Sequence, residues 1–140
     1  MLKDIPAILS PELLKTLAEM GHGDEIVLAD GNFPAAALAQ RLVRADGHGI
    51  PALLDAILEL FPLDAYVDCP VALMDNDDPG RRPKVWEEYS KAILRHEGDR
   101  QVDLVERFAF YERAKAAYAI VATGETALYA NVILKKGVVT

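Results

Sequence analysis

The stretch EMGHGDEIVLADGNFP, residues 19–34, sets a histidine between two glycines, then a short apolar run, then Asp-Gly-Asn. Ile26 to Ala29 is apolar and bounded by polar residues and glycine, the pattern of a buried strand. Upstream, Ser10-Pro11-Glu12 reads as a helix start. Serine caps free amides, proline suits the first helical position, and an acid sits at the positive end of the dipole. Leu13, Leu14, Leu17 and Met20 mark one apolar helix face, and Gly21 is placed to end the helix in a left-handed conformation. The unit is therefore helix, glycine-flanked turn, strand and turn. Its two turns each present a group able to do chemistry. His22 is left uncovered by its glycine neighbours, and Asp30 ends the strand, where ligand sites of layered α/β proteins tend to fall. Each is also a good turn residue, so the residues alone leave both readings open.

Downstream the pattern repeats. FPAAALAQ gives a short connecting helix and RLVRA a strand. Ile50, Leu53, Leu54, Ile57, Leu58 and Phe61 keep the three-and-four spacing of an amphipathic helix. PVALM is a strand, DNDDPGRRP a solvated loop, and Pro83 to Arg95 a helix with Trp86, Tyr89 and Ile93 inward. VDLVE, RFAFYERAKAAY, AIVAT and YANVILKK then read as strand, helix, strand and strand. Strands alternating with helices predict an α/β fold, a single layered domain over residues 1–140 with a central sheet flanked by helices.

Composition narrows the partners. The net charge of -7, with no basic stripe, argues against nucleic acid or an acidic membrane surface. The one cysteine, Cys69, leaves no intrachain disulfide and fits a reducing compartment. The N-terminus is broken by Lys3, Asp4, Pro6 and Glu12, and no apolar run reaches membrane-spanning length, so a cytoplasmic location is expected.

Several constellations yield to blander readings. GHGDEI superficially resembles a dinucleotide-binding glycine loop, but the helix precedes it and the strand follows, the reverse of what pyrophosphate binding needs. DNDDPG resembles the start of a calcium loop, yet Pro79 takes a ligand position and Trp86 stands where the bidentate glutamate belongs. His22, His48 and His96 have no metal-ligand spacing, so no metal is expected, and His48 and His96 read as surface residues. Cys69 reads as inert. Late in the chain, Arg107 stands at the mouth of a helix with Tyr111 one turn on, and Phe108 and Tyr111 read as core and rim. Tyr129-Ala130-Asn131 precedes an apolar strand and offers hydroxyl, amide and backbone groups, a set suited to a polyol.

The blocks LSPELLKTLAEMGHGDEIVLADGNFPA, RADG, RFAFYERAKAAYAIVATGE and YANVILKKG resemble the RbsD/FucU family of sugar mutarotases, and within it the L-fucose branch. The resemblance runs over essentially the whole chain. It implies an RbsD-like fold and interconversion of the α and β anomers of L-fucose. It also implies a homo-oligomer, a pentamer or a paired-ring decamer, with each site completed by a neighbouring subunit. Position by position, the family's proton donor matches His22, its sugar-holding carboxylate Asp30, and its substrate-contacting arginine Arg107. The pocket-lining Tyr-x-Asn segment matches Tyr129, Ala130 and Asn131. The chain departs from the branch in two places: Gly31-Asn32 stands where Ala-His is frequent, and Ala130 where glycine is.

The chemistry so implied needs no cofactor. Mutarotation removes a proton from the anomeric hydroxyl, delivers one to the ring oxygen, and then reverses. Histidine exchanges protons near neutral pH, and such catalysis is commonly worth about 10²–10⁴-fold. His22 would be the acid, with Asp30, Arg107, Tyr129 and Asn131 holding hydroxyls and Tyr129 or water accepting the anomeric proton. The competing expectations are a ribose-type pyranase and a monosaccharide-binding accessory protein without catalysis.

Overall fold

A computed structural model describes residues 1–140. Helix α1 spans Pro11–Glu19, capped by the Ser10 hydroxyl, which accepts the Leu13 amide at 3.1 Å. Strand β1 follows at Glu25–Ala29, then a single helical turn α2 at Ala35–Leu38 and β2 at Leu42–Ala45. Helix α3 is Ile50–Leu58, β3 is Val71–Met74, and α4 is Val85–Glu97. The chain closes with β4 at Val102–Val105, α5 at Arg107–Ala116, β5 at Ala119–Thr123 and β6 at Val132–Lys135. The α/β reading of the sequence holds, element by element.

All six strands join one sheet in the order β2-β5-β1-β6-β3-β4. β1 pairs in parallel with β5 (Ile26 opposite Ala119), β5 with β2, and β3 with β4. Only β6 runs the other way, antiparallel to both β1 and β3. It follows that β1 to β5 all point in one direction, and the sheet has a carboxyl edge where five strands end and β6 begins.

Alternation along the strands divides the core in two. Ile26 and Leu28 of β1 face the larger layer, built with Leu13 and Leu17 of α1, Ile50, Leu53 and Ile57 of α3, and Tyr89 and Ile93 of α4. Val27 and Ala29 face the smaller layer, with Ala35 of α2 and Phe110 and Ala114 of α5. Helices thus cover both faces, which is why the strands read as unbroken apolar runs.

Three details differ from the sequence reading. Helix α1 ends into an extended Met20, and the left-handed residue is Gly23 (φ 86°), not Gly21. One local bond and one long-range bond cause this: the Asp24 carboxylate accepts the Gly21 amide at 2.7 Å, and the Gly23 amide donates to the distant Lys136 carbonyl at 2.8 Å, moving the sharp point of the turn two residues on. Strand β6 starts at Val132 rather than Tyr129, because Tyr129 itself is left-handed (φ 55°). The loop 75–82 contains a short 3-10 turn at Pro79–Arg81, capped by Asp78.

Candidate active site

The carboxyl edge of the sheet gathers most of the residues singled out from the sequence. Asp30 leaves the end of β1, Arg107 opens α5 just after β4, and Asn131 stands just before β6. A cavity of about 280 Å³ is lined by Asp30, Asn32, Met74, Arg107, Tyr111 and Tyr129, with Phe33, Leu128 and Asn131 completing the wall. A second cavity of about 330 Å³ meets it at Asp30 and Phe33 and extends towards Arg44, Asp46 and Thr123.

Asp30 is buried, and it is held by neighbours on both sides. Its amide donates to the Asn131 side-chain oxygen at 2.7 Å, and its carboxylate accepts the Asn32 amide at 2.9 Å. Burial raises its pKa above the ordinary aspartate value, and those hydrogen bonds, which favour the ionised form, offset only part of the rise. The carboxylate is thus fixed in place at the cavity wall.

The Tyr129–Asn131 segment owes its shape to α4. The Trp86 indole N–H donates to the Tyr129 carbonyl at 2.9 Å and the Tyr89 hydroxyl to the Ala130 carbonyl at 2.8 Å. Together they hold Tyr129 in a left-handed backbone that costs a non-glycine residue about 1–3 kcal/mol. Desolvation drives the pKa of buried Tyr89 far above its usual value, so its hydroxyl stays a donor. Ala130 is fully buried and is not part of the cavity wall; its carbonyl is held by Tyr89. Asn131 is also buried, its oxygen committed to Asp30 and its amide 3.8 Å from the Met74 sulfur.

Across the cavity, the Glu106 carboxylate caps α5 by accepting the Phe108 and Ala109 amides at 3.0 Å, which keeps its own pKa low. The Arg107 Nε donates to the Tyr111 hydroxyl at 3.0 Å, and that bond is the main reason the guanidinium pKa is raised. Tyr111 packs edge-on against Phe33, with ring centroids 5.5 Å apart. Tyr111, read from sequence as a rim residue, is thus part of the wall itself, while Phe108 is exposed rather than core. Its position one turn beyond Arg107 was the signal available.

His22 lies elsewhere. It precedes β1, so the five-residue strand separates it from Asp30 by about 16 Å at ~3.3 Å per residue. Within one chain the two turns therefore sit at opposite edges of the sheet. His22 is half-exposed, its Nε2 3.0 Å from the buried Asp64 carboxylate and its ring 5.4 Å from that of Tyr66. Asp64, which sequence reading missed, comes from the segment after α3, 42 positions away, and no local pattern marked it. Of the other histidines, His48 is exposed, and His96 is largely covered, 2.7 Å from Asp55. Cys69 is half-buried and free. No group of three or more His, Cys, Asp or Glu side chains is arranged to hold a metal ion.

Hydroxyl- and carboxylate-bearing groups at the carboxyl edge of a mostly parallel sheet form a cavity of the kind suited to a small polar molecule. Comparison with known proteins is more specific. The family model described as the RbsD / FucU transport protein family matches residues 3–139. The chain is 56% identical over 144 residues to the fucose mutarotase of Homo sapiens, covering 98% of this chain and 94% of the relative. Among solved structures, it is 57% identical to the fucose mutarotase from Streptococcus pneumoniae in complex with L-fucose, with a TM-score of 0.93, covering 99% of this chain and 100% of the other. Bacillus subtilis RbsD complexed with D-ribose, at 24% identity and a TM-score of 0.73 over 100% of both chains, shares the fold. This chain belongs to the RbsD/FucU family.

Proposed function

We propose that this protein is an aldose mutarotase, an isomerase that interconverts the α and β anomers of L-fucose. The observation that carries the reading is the near-complete match, at 57% identity, to a fucose mutarotase whose structure holds L-fucose. The cavity at the carboxyl edge supports it: Asp30, Arg107, Tyr111 and Tyr129 are hydroxyl-recognising groups around a space at the small end of ligand pockets.

In this reading Asp30, Arg107, Tyr129 and Asn131 form and support the sugar-holding half of the site, and buried Ala130, its carbonyl held by Tyr89, anchors the segment between Tyr129 and Asn131. His22 supplies the proton. Because it sits at the far edge of its own sheet, it serves the cavity of a second copy, so the working unit is a homo-oligomer; the family resemblance implies a ring of five or two such rings. Exposed apolar side chains, Phe108 and Leu128 beside the cavity and Leu2, Leu60 and Val139 elsewhere on the surface, fit faces that meet other copies. A cytoplasmic location fits the single free cysteine, and no helix is long and apolar enough to cross a membrane.

The ring oxygen takes a proton from the His22 imidazolium as its bond to the anomeric carbon breaks. The anomeric hydroxyl gives up its own proton to Asp30, whose burial raises its affinity for one. Rotation of the aldehyde and reversal of both transfers close the opposite anomer. The test is anomeric-exchange NMR with L-fucose and D-ribose side by side. Acceleration for fucose, lost by about 10²-fold or more in His22→Ala, is the expected result. Line broadening by bound sugar without faster exchange refutes catalysis, and faster exchange of ribose than of fucose refutes the substrate.

A further inference from the structure

The His22 ring does not stand alone at its edge of the sheet. Asp64 is almost wholly buried, its side chain 4% exposed against 44% for His22. One carboxylate oxygen of Asp64 accepts the Tyr66 amide at 3.0 Å and lies 3.0 Å from His22 Nε2. The backbone around it is fastened from three directions. The Asp64 amide donates to the Lys135 carbonyl at 3.0 Å, the Asp64 carbonyl accepts the Arg100 guanidinium, and the Leu63 amide donates to Glu97 at 3.0 Å. On the histidine side, the Gly23 amide is bound to the Lys136 carbonyl. Both partners are thus tied to the β6 end of the sheet, and the Tyr66 ring packs against the imidazole.

A carboxylate can only accept hydrogen bonds, so the ring nitrogen facing it must carry a proton. The neutral imidazole is then held as Nε2–H, and Nδ1 is the nitrogen left to exchange protons. The carboxyl is kept ionised, its pKa lowered first by the Tyr66 amide and then by His22. Taking His22 as the acid proposed above, we infer that Asp64 is a positioning residue of this enzyme: it fixes the orientation and tautomer of His22 so that Nδ1, and not Nε2, meets the sugar. The imidazolium Nδ1–H passes to the ring oxygen as the ring opens, and Nδ1 recovers the proton from the same oxygen when the open chain recloses. The other proton stays on Nε2, donated to the Asp64 carboxylate throughout, and no other reactant is consumed.

The tautomer is read directly by two-bond nitrogen–proton NMR of His22 in the intact protein at mildly alkaline pH. Nε2–H is expected, and a dominant Nδ1–H form overturns the inference. Asp64→Ala is expected to lower kcat for L-fucose anomer exchange about tenfold or more with KM within about twofold, and to mix the tautomers. Asp64→Asn, whose amide oxygen can still accept from Tyr66 and His22, recovers part of the rate and carries the test should the alanine variant fold poorly. A kcat within twofold of wild type in both variants, or a loss confined to KM, overturns the inference. His22→Ala run in parallel separates the readings: if it stays active, His22 is not the acid; if it is inactive while Asp64→Ala is not, only the role of Asp64 fails.

Discussion

Asn131→Ala probes how the carboxylate proposed to hold the sugar is built. The Asn131 oxygen is the acceptor for the buried Asp30 amide at 2.7 Å, and both residues are nearly inaccessible. Removing it leaves a buried N–H without a partner, which costs about 1–3 kcal/mol. An unfolding entropy of about 0.3 kcal/mol/K for a chain this long turns a 2 kcal/mol loss into a fall in Tm of about 7 °C. The same change frees the Asp30 backbone, so fucose affinity measured by titration should fall about tenfold. Asn131→Asp restores the acceptor but sets a second carboxyl beside Asp30. Like charge and burial raise the folded-state pKa of such a group, so its unfavourable contribution is absent in acid and grows as pH rises above the ordinary carboxylate range. Scanning calorimetry and sugar titration across pH check both variants. A melting point for Asn131→Ala within about 2 °C of wild type, with unchanged fucose affinity, refutes the reasoning. So does an Asn131→Asp protein that is less stable in acid than at neutral pH, relative to wild type.

Two predictions concern the frame. The Asp55 carboxyl is held below its usual pKa by Arg95 and, secondarily, by His96. A lowered carboxylate pKa contributes stability above the ordinary value that is lost as pH falls through the lowered one. With the side chain 42% exposed, Asp55→Asn should cost only about 0.5 kcal/mol in neutral urea titrations and nothing in acid; a difference that persists in acid contradicts the pairing. At Gly124 an added Cβ would lie 2.0 Å from the backbone carbonyl oxygen of Asp46, whereas at Gly47 it would meet nothing within 4 Å. Gly124→Ala should therefore destabilise by about 3 kcal/mol or more and Gly47→Ala by about 0.5 or less, and equal melting points for the two would overturn that account.

What the sequence determined by itself was local. The Ser10 cap, the 3.6-residue spacing through Ile50–Leu58, and the apolar runs at Ile26–Ala29 and Ala119–Thr123 each depend on neighbours a few residues away, so the elements were legible before any contact was known. Asp30, Arg107 and Tyr129–Asn131 were also marked, since each sits where a strand or helix begins or ends. Pairing across the sheet decided the rest. His22 and Asp30 are eight positions apart, yet an extended strand carries them to opposite edges, while Asp64, 42 positions away, reaches His22 because the Leu63–Lys136 bridge brings that segment to the end of β6. Strand direction and register come from burial of whole faces against distant partners, and a window of neighbouring residues holds no record of them.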